Sequence, residues 1–284
     1  MIEIERTGPL ATVQDLGRPG HGGIGVGVSG AADRGSLKLA NRLVGNDEAA
    51  AALEITFGGF QLRAHHAMTL AVTGASCPVV VDGRPEPVNA VLRVRAGQRV
   101  RLDAPEAGLR SYLAVRGGIA VEPVLGSRST DLLSGLGPAR LAEGTTLAIG
   151  HAHCRIPQVD VAPMPAEPAG DLELAVSLGP RADWFTDAAV EALLGEPFEV
   201  APQSNRVGMR LNGPELTRAR TDELPSEGMV VGSLQVPPSG RPTLFLADHP
   251  VTGGYPVIAV LPAAEVDRAA QARPGRKLRF RRVR

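Results

Sequence analysis

The feature that most limits the fold of this chain is a succession of short apolar runs between residues 60 and 122, each cut off by glycine or Asp-Gly. "MTLAVTG", "PVVVDG", "AVLRVRAGQRVRL" and "SYLAVRGGI" carry alternating or continuous apolar character over stretches too short for ordinary helices, and they are rich in β-branched valine. In "VVVDGRP" the pair Asp82-Gly83 supplies two positions that tolerate positive φ, which a two-residue type I′ hairpin demands. Sheets joined by tight turns are the expectation. The 34 glycines and 24 prolines agree with it, because turns are where both residues are favoured.

One helix interrupts the β pattern of the first half. In "DRGSLKLANRLVGN", Leu37, Ala40, Leu43 and Val44 share a face, Asp33 or Ser36 can cap the start, and Gly45 stands where a C′ glycine belongs. Residues 155–171, "RIPQVDVAPMPAEPAGD", hold four prolines and no helical period, the composition of a semi-rigid connector. A second helix is expected in "DWFTDAAVEALLGEP", with Asp183 as N-cap, Phe185, Ala189 and Leu193 on one face, and Gly195 then Pro197 as the stop. Strand-like "FEVAP", "VGMRLNG", "TLFLAD" and "YPVIAVL" follow it. The organisation expected is a β domain over residues 1–155, a Pro-rich linker over 156–170 and a second β domain over 171–284. "RLVGN" and "ALLGE" after the two helices, and "RAGQRVRL" and "RPGRKLRF", form a faint echo between the halves.

Charge and composition exclude several classes of partner. Thirty basic residues balance thirty acidic ones, so nothing marks the chain for nucleic acid or an anionic membrane surface, and a small-molecule substrate is expected. Cys77 and Cys154 are the only cysteines, and "MIEIERTGPL" has neither a basic n-region nor an apolar h-region, which points to a cytoplasmic setting. The only lysines are Lys38 in "SLKLA" and Lys277 in "GRKLR". Neither forms the G-K-[ST] of a phosphate loop nor the setting of a biotinylated lysine, so no cofactor is expected on this chain alone.

"HGGIGVGVSGAADRGS" contains G-x-G-x-x-G at Gly25, Gly27 and Gly30. A dinucleotide loop requires a buried strand directly before it, and "QDLGRPGHGG" has no apolar run. What surrounds the glycines is a dense polar set: Gln14, Asp15, Arg18, Ser29, Asp33, Asn41 and Asn46. The second half places Glu223, Glu227, Asp248, His249 and Tyr255 near turns, either as solvated turn residues or as groups converging on a cleft where acid and base roles divide. "SNRVGMRL" puts Arg206 and Arg210 on one side of an expected strand, after Ser204 and Asn205, and a guanidinium pair can grip a carboxylate. Arg128 in "GSRST", with Ser127, Ser129 and Thr130, reads either as an anion-binding turn or as a loop cap. His151, His153 and Cys154 in "HAHC" lack a second ligand pair at zinc spacing, and His65-His66 has less support still, so no metal is expected. "GVSGA" around Ser29 is not a nucleophile elbow.

"QDLGRPG", "GVGVSGAADRGSLKLANRLVGN", "LEITFGG", "YLAVRGGI", "VLGSRST", "SNRVGMRL" and "SEGMVVGSLQVPPSGRPTLFLADHPVTGGYPVIA", in that order over residues 7–262, resemble the allophanate hydrolase subunit 2 family. It is also called the KipA-like or biotin-dependent carboxyltransferase family and includes the C subunit of bacterial 5-oxoprolinase. The resemblance implies a mainly β fold with a few helices, built as two tandem cyclophilin-like β-barrel domains. It implies a non-autonomous subunit of an ATP-dependent 5-oxoprolinase that opens 5-oxo-L-proline to L-glutamate. An allophanate hydrolase subunit 1 (KipI-like) partner and the 5-oxoprolinase A subunit would complete the complex, which uses the ATP. It also implies catalytic roles for Asp33, Glu227, Asp248 and His249, and substrate contacts from Gln14, Arg18, Ser29, Asn41, Arg128, Ser204, Asn205, Arg206, Arg210, Gln235 and Tyr255. Two alternatives share the resemblance: a carboxyltransferase taking CO₂ from biotin on a separate carrier to urea or another amide, and a KipA-type binding antagonist of a KipI-like kinase inhibitor.

Overall fold

Apolar alternation in the N-terminal strands is answered by two stacked sheets. In the computed structural model, which describes residues 1–152, 155, 157–159, 161–164 and 170–283, one sheet runs in the order Thr146–Leu147, Ile2–Thr7, Phe60–Ala64, Arg99–Leu102, Val79–Val81, Arg84–Glu86. The other runs Leu10–Gln14, Ala52–Thr56, Ala107–Val115, Met68–Ser76, Val91–Val94. Ile2, Ile4, Phe60, Leu62, Val100 and Leu102 of the first meet Val13, Leu53, Ile55, Leu70, Val72, Leu113 and Val115 of the second in a single core. Each such side chain, once fully buried, contributes roughly 1.5–3 kcal/mol.

The second sheet is covered on its other face as well. The residues between those core positions, Ala52, Ala71, Tyr112 and Ala114, pack against Leu37, Ala40, Leu43 and Val44 of helix α1, Arg34–Leu43. This burial on both faces explains why "LEITFGG" and "SYLAVRGG" carry so few exposed polar residues. The capping reading holds: Asp33 accepts from the Ser36 N–H at 2.9 Å, and Gly45 has φ +69°. The Asp82-Gly83 hairpin holds too, with φ of +45° and +81° between Val81 and Arg84.

The C-terminal strands close a seven-stranded barrel, in the order Leu172–Leu178, Val257–Val260, Ser233–Gln235, Thr243–Phe245, Gly208–Asn212, Phe198–Val200, Lys277–Arg282. A parallel pairing of the first and last strands completes it, with Leu172 opposite Leu278 and Leu174 opposite Phe280. Closure removes the free edges that β proteins otherwise have to protect. Helix α2, Asp187–Gly195, corrects the expected cap: Thr186, not Asp183, accepts from the Ala189 N–H. Asp183 belongs instead to a 3₁₀ turn, Ala182–Trp184, because Trp184 and Phe185 must enter the core. Gly195 is the last helical residue rather than a left-handed C′ glycine, so "ALLGE" does not repeat the geometry of "RLVGN". Helix α3, Ala263–Ala269, had no counterpart in the sequence pattern.

The other echo is structural. Gly97 and Gly275, both at positive φ, sit in turns closed by Gln98 N–H to Arg95 O and Arg276 N–H to Arg273 O. Each glycine N–H then donates to the end of the neighbouring strand, to Ala64 O at 2.7 Å and Val200 O at 2.8 Å. "RAGQRVRL" and "RPGRKLRF" are thus one turn-and-strand device used twice.

By internal contact the chain divides into a unit of residues 1–18, 29–131 and 135–167 and a unit of residues 19–28, 132–134 and 168–284. Two short pieces of the N-terminal sequence therefore belong with the barrel. Part of the Pro-rich segment belongs to the first unit, through a bridge between Ala90 and Val161 and a bond from Ala162 N–H to Asn89 O at 2.7 Å.

Candidate functional site

In the first unit, Asp15 organises the ends of two loops. Its Oδ1 accepts from the hydroxyls of Ser127 and Ser129, both at 2.6 Å, and from the Gly17 N–H at 2.7 Å. Its Oδ2 accepts from the Arg128 N–H at 2.6 Å. Such a carboxylate ties "QDLGRPG" to "GSRST" far more firmly than a neutral bond would. The turn expected at Arg128 is therefore built around the carboxylate of Asp15, and the Arg128 side chain turns aside to donate to Val121 O.

Arg18 and Gln14 reach the same loop. Arg18, 1% exposed, donates through Nη2 to Ser129 O, and its Nη1 lies 3.8 Å from the Asp131 carboxylate. Gln14 donates through Nε2 to the next carbonyl, Thr130 O, at 2.9 Å, and the Ser29 hydroxyl reaches that carbonyl at 3.5 Å. Three buried polar atoms here have no hydrogen-bond partner among the described residues: Gln14 Oε1, Arg18 Nη1 and Thr130 Oγ1. Buried polar groups are nearly always satisfied, and an acceptor, a donor and a hydroxyl around one loop are the kind of groups that ordered water bridges.

The glycine stretch is split between the two units. Residues 21–28 belong to the barrel unit and residues 29–36 to the first unit. Gly22–Ile24 form a 3₁₀ turn and no strand leads directly into them, the nearest ending at Gln14, so the stretch lacks the strand–turn–helix context of a nucleotide cradle. Gly30 has φ +94°, and a Cβ there would lie 2.8 Å from Gly17 N. Its lack of a side chain lets Ala31 N–H reach Asp15 O at 2.9 Å.

Asp33 has both oxygens engaged by Ser36, through the backbone N–H at 2.9 Å and the hydroxyl at 2.6 Å. Asn41 does not join the Gln14–Arg18 group. It is fully buried and donates to Glu48 O and Ala50 O, holding the loop after α1 together with Asn46.

In the barrel unit, Arg206 and Asp248 form a fully buried two-point pair, Nε to Oδ2 at 2.9 Å and Nη2 to Oδ1 at 3.0 Å. The Leu132 N–H adds a third donor to Oδ2 at 3.1 Å. The loop that presents Arg206 is a side-chain-made turn: Ser204 donates to Ala201 O, and Asn205 Oδ1 accepts from the N–H groups of Val207 and Gly208. Arg206 thus precedes the strand Gly208–Asn212, and only Arg210 lies on it, exposed. The expected same-face arginine pair is corrected, because a strand's two-residue period does not extend into the turn before it.

His249 is nine-tenths buried, and its Nδ1 meets Pro250 O at 2.8 Å. A carbonyl only accepts, so Nδ1 carries the proton and Nε2 of the neutral ring is the basic nitrogen. Gly27 lies against the His249 carbonyl, its missing Cβ position 3.3 Å from that oxygen. Glu227 is gripped by Arg181, with Nε 2.9 Å from Oε1 and a shorter contact from Nη2. This hydrogen bonding holds its carboxyl below the usual range. Glu223 is exposed. Gln235 is buried and donates to Tyr255 O at 3.0 Å, while the Tyr255 ring lies under Arg218 at 5.7 Å and the residue is exposed.

Of the "HAHC" group only His151 lies within the described residues, where it is exposed, and His65 pairs with Glu3 at the surface. Among the described residues no His, Cys, Asp and Glu converge as metal ligands. Sequence reasoning missed Glu54, Arg110 and Tyr112 beneath the start of α1. A carboxylate and a guanidinium inside otherwise apolar strands were the signal that could have found them.

The fold and its loops define a β protein with buried guanidinium, amide and hydroxyl groups gathered at its loop ends. The chain belongs to the family of the carboxyltransferase domain, subdomain A and B, whose model matches residues 24–282. It is 39% identical to the C subunit of 5-oxoprolinase from Escherichia coli over 99% of this chain and 90% of that protein. It is 32% identical to the urea amidolyase of Saccharomyces cerevisiae over 98% of this chain but only 16% of that much longer protein. The crystal structure of the K. lactis urea amidolyase superposes with a TM-score of 0.92 at 30% identity, over 98% of this chain and 18% of the other. No helix among the described residues is long and apolar enough to cross a membrane.

Proposed function

We propose that this chain is the C subunit of an ATP-dependent 5-oxoprolinase, working with a KipI-like partner and the enzyme's A subunit on 5-oxo-L-proline. The observation that carries the reading is the match to the C subunit of a 5-oxoprolinase across 90% of that protein's length, against 16% of a urea amidolyase. The first unit's polar loop supports it. A lactam presents its N–H and C=O on one edge, and the unsatisfied Gln14 Oε1 and Arg18 Nη1 are an acceptor and a donor for such an edge. A guanidinium aimed at the carbonyl also stabilises the oxyanion that forms when water adds to it.

Proton handling is assigned to a different group. The carboxylates of Asp33, Glu227 and Asp248 are held by Ser36, Arg181 and Arg206, whereas His249 Nε2 is the basic nitrogen of its ring. His249, in the barrel unit, is the side chain we expect to exchange protons during the complex's reaction.

The fold match to the urea amidolyase favours a second reading, carboxyl transfer from biotin to an amide nitrogen. The chain's own lysines do not suit biotin attachment: Lys38 lies within α1 beside Glu48, and Lys277 opens a barrel strand. The biotin would then be carried outside these 284 residues. Combining this chain with the other two proteins of the complex and assaying ATP-dependent glutamate release against biotin-dependent urea carboxylation separates the two. Glutamate release that requires this chain supports the first reading. Urea carboxylation alone replaces it with the second.

A further inference from the structure

Beneath the polar loop lies a buried polar cluster that none of the expected roles uses. Glu54 and Tyr112 are directly opposed on adjacent strands, 1% and 0% exposed, on the face of the sheet that α1 covers. The Tyr112 hydroxyl donates to Glu54 Oε2 at 2.7 Å. The same carboxylate oxygen accepts from the Ala32 N–H at 2.9 Å, and the Tyr112 oxygen accepts from the Asp33 N–H at 2.8 Å. Arg110, two residues along and equally buried, brings its Nε to 3.7 Å from Glu54 Oε1. Two consecutive backbone N–H groups are thus fixed by side chains rising from the sheet, and the next N–H upstream, Ala31, is fixed by Asp15 O. These residues lead directly from Ser29, at φ +55°, into α1.

We infer that Glu54 and Tyr112 are positioning residues that hold the Ser29–Asp33 loop against the Gln14, Arg18 and Thr130 group. The inference rests on that group serving the proposed reaction. A buried carboxylate in a sheet is costly unless several donors meet it, and an apolar pair would pack there with less risk. What an apolar pair cannot do is receive two successive N–H groups at the mouth of a helix. Burial, with the charges of Glu54 and Asp33 beside it, keeps the Tyr112 phenol protonated well above its ordinary range. It can therefore donate to Glu54 and accept from Asp33 at the same time.

The test uses Tyr112→Phe in the full chain, followed by two readouts. Amide exchange in the chain alone is expected to accelerate at residues 32–36 and not in the barrel strands. In the complex with the partner proteins, kcat per folded chain is expected to fall about tenfold with KM changed less than about twofold, the scale on which one lost hydrogen bond displaces the loop it holds. Accelerated exchange with unchanged kcat makes the pair merely structural and overturns the inference, and so does unchanged exchange. If Tyr112→Phe does not fold, Glu54→Gln, which keeps shape and loses charge, is judged by the same readouts. A wild-type complex that carboxylates urea but releases no glutamate overturns only the proposed function, and the variants are then judged on urea turnover. A wild-type complex with neither activity overturns both.

Discussion

Arg206 and Asp248 meet in a two-point ion pair with both side chains almost wholly out of water, and the Leu132 N–H closes on the same carboxylate. Removing either partner leaves the other charge buried and unmatched. Asp248→Ala is therefore expected to cost about 3–5 kcal/mol in urea denaturation, while a double replacement by methionine and leucine costs much less. Equal losses in the single and double variants would mean the pair itself contributes nothing beyond packing.

His249 carries its proton on Nδ1, toward Pro250 O. His249→Ala is expected to lower kcat of the assembled complex by about 10²–10⁴ while the chain keeps its melting temperature within a few degrees. Full turnover in that variant removes the imidazole from the reaction.

Gly30 and Gly25 both have positive φ, but only Gly30 is crowded, with Gly17 N 2.8 Å from the position of an added Cβ and open space at Gly25. Gly30→Ala is expected to destabilise by about 2–4 kcal/mol and Gly25→Ala by only about 1–2 kcal/mol. Chemical denaturation of the two variants checks the ordering.

Tyr112 links stability to alkaline pH. Its pKa is raised by burial and then by the Glu54 and Asp33 charges, so above the ordinary tyrosine value of 10.0 the unfolded chain releases a proton that the native chain keeps. Stability is fully present below that value and is lost as pH rises through the window above it, with a slope of up to about 1.4 kcal/mol per unit. The buried Cys77 thiol, also raised by burial, adds a component of the same sign. Denaturation curves between about pH 9 and about pH 11 should therefore be flatter in Tyr112→Phe than in the wild type.

Leu125 occupies the first central position of a hairpin between Val124 and Ser127, at φ +51° and exposed. Asparagine suits that position better, and Leu125→Asn is expected to raise stability by about 1 kcal/mol. A fall in complex activity alongside that gain would show that the leucine touches a partner.

Local patterns were enough for the elements. The alternation in "SYLAVRGG", the Asp33 cap of α1 and the Asp82-Gly83 hairpin depend on neighbours within a few residues, and so does the shared turn at Gly97 and Gly275. Where a distant demand competes, local reading fails. Asp183 could cap a helix, but the core takes Trp184 and Phe185 and moves the start to Thr186.

By itself the sequence determined a β-rich chain with a helix in each half, and the polar residue types around "QDLGRPG", "GSRST" and "SNRVG". Only tertiary structure decided which of them act together. Asp15 is joined to Ser127 across 112 positions of sequence and Glu54 to Tyr112 across 58. Arg206 finds Asp248 across 42 positions, while Arg210, four residues from Arg206, points to solvent. Hydrogen bonds and ion pairs of this kind form only after sheets bring remote strands into register, so no window of sequence contains them.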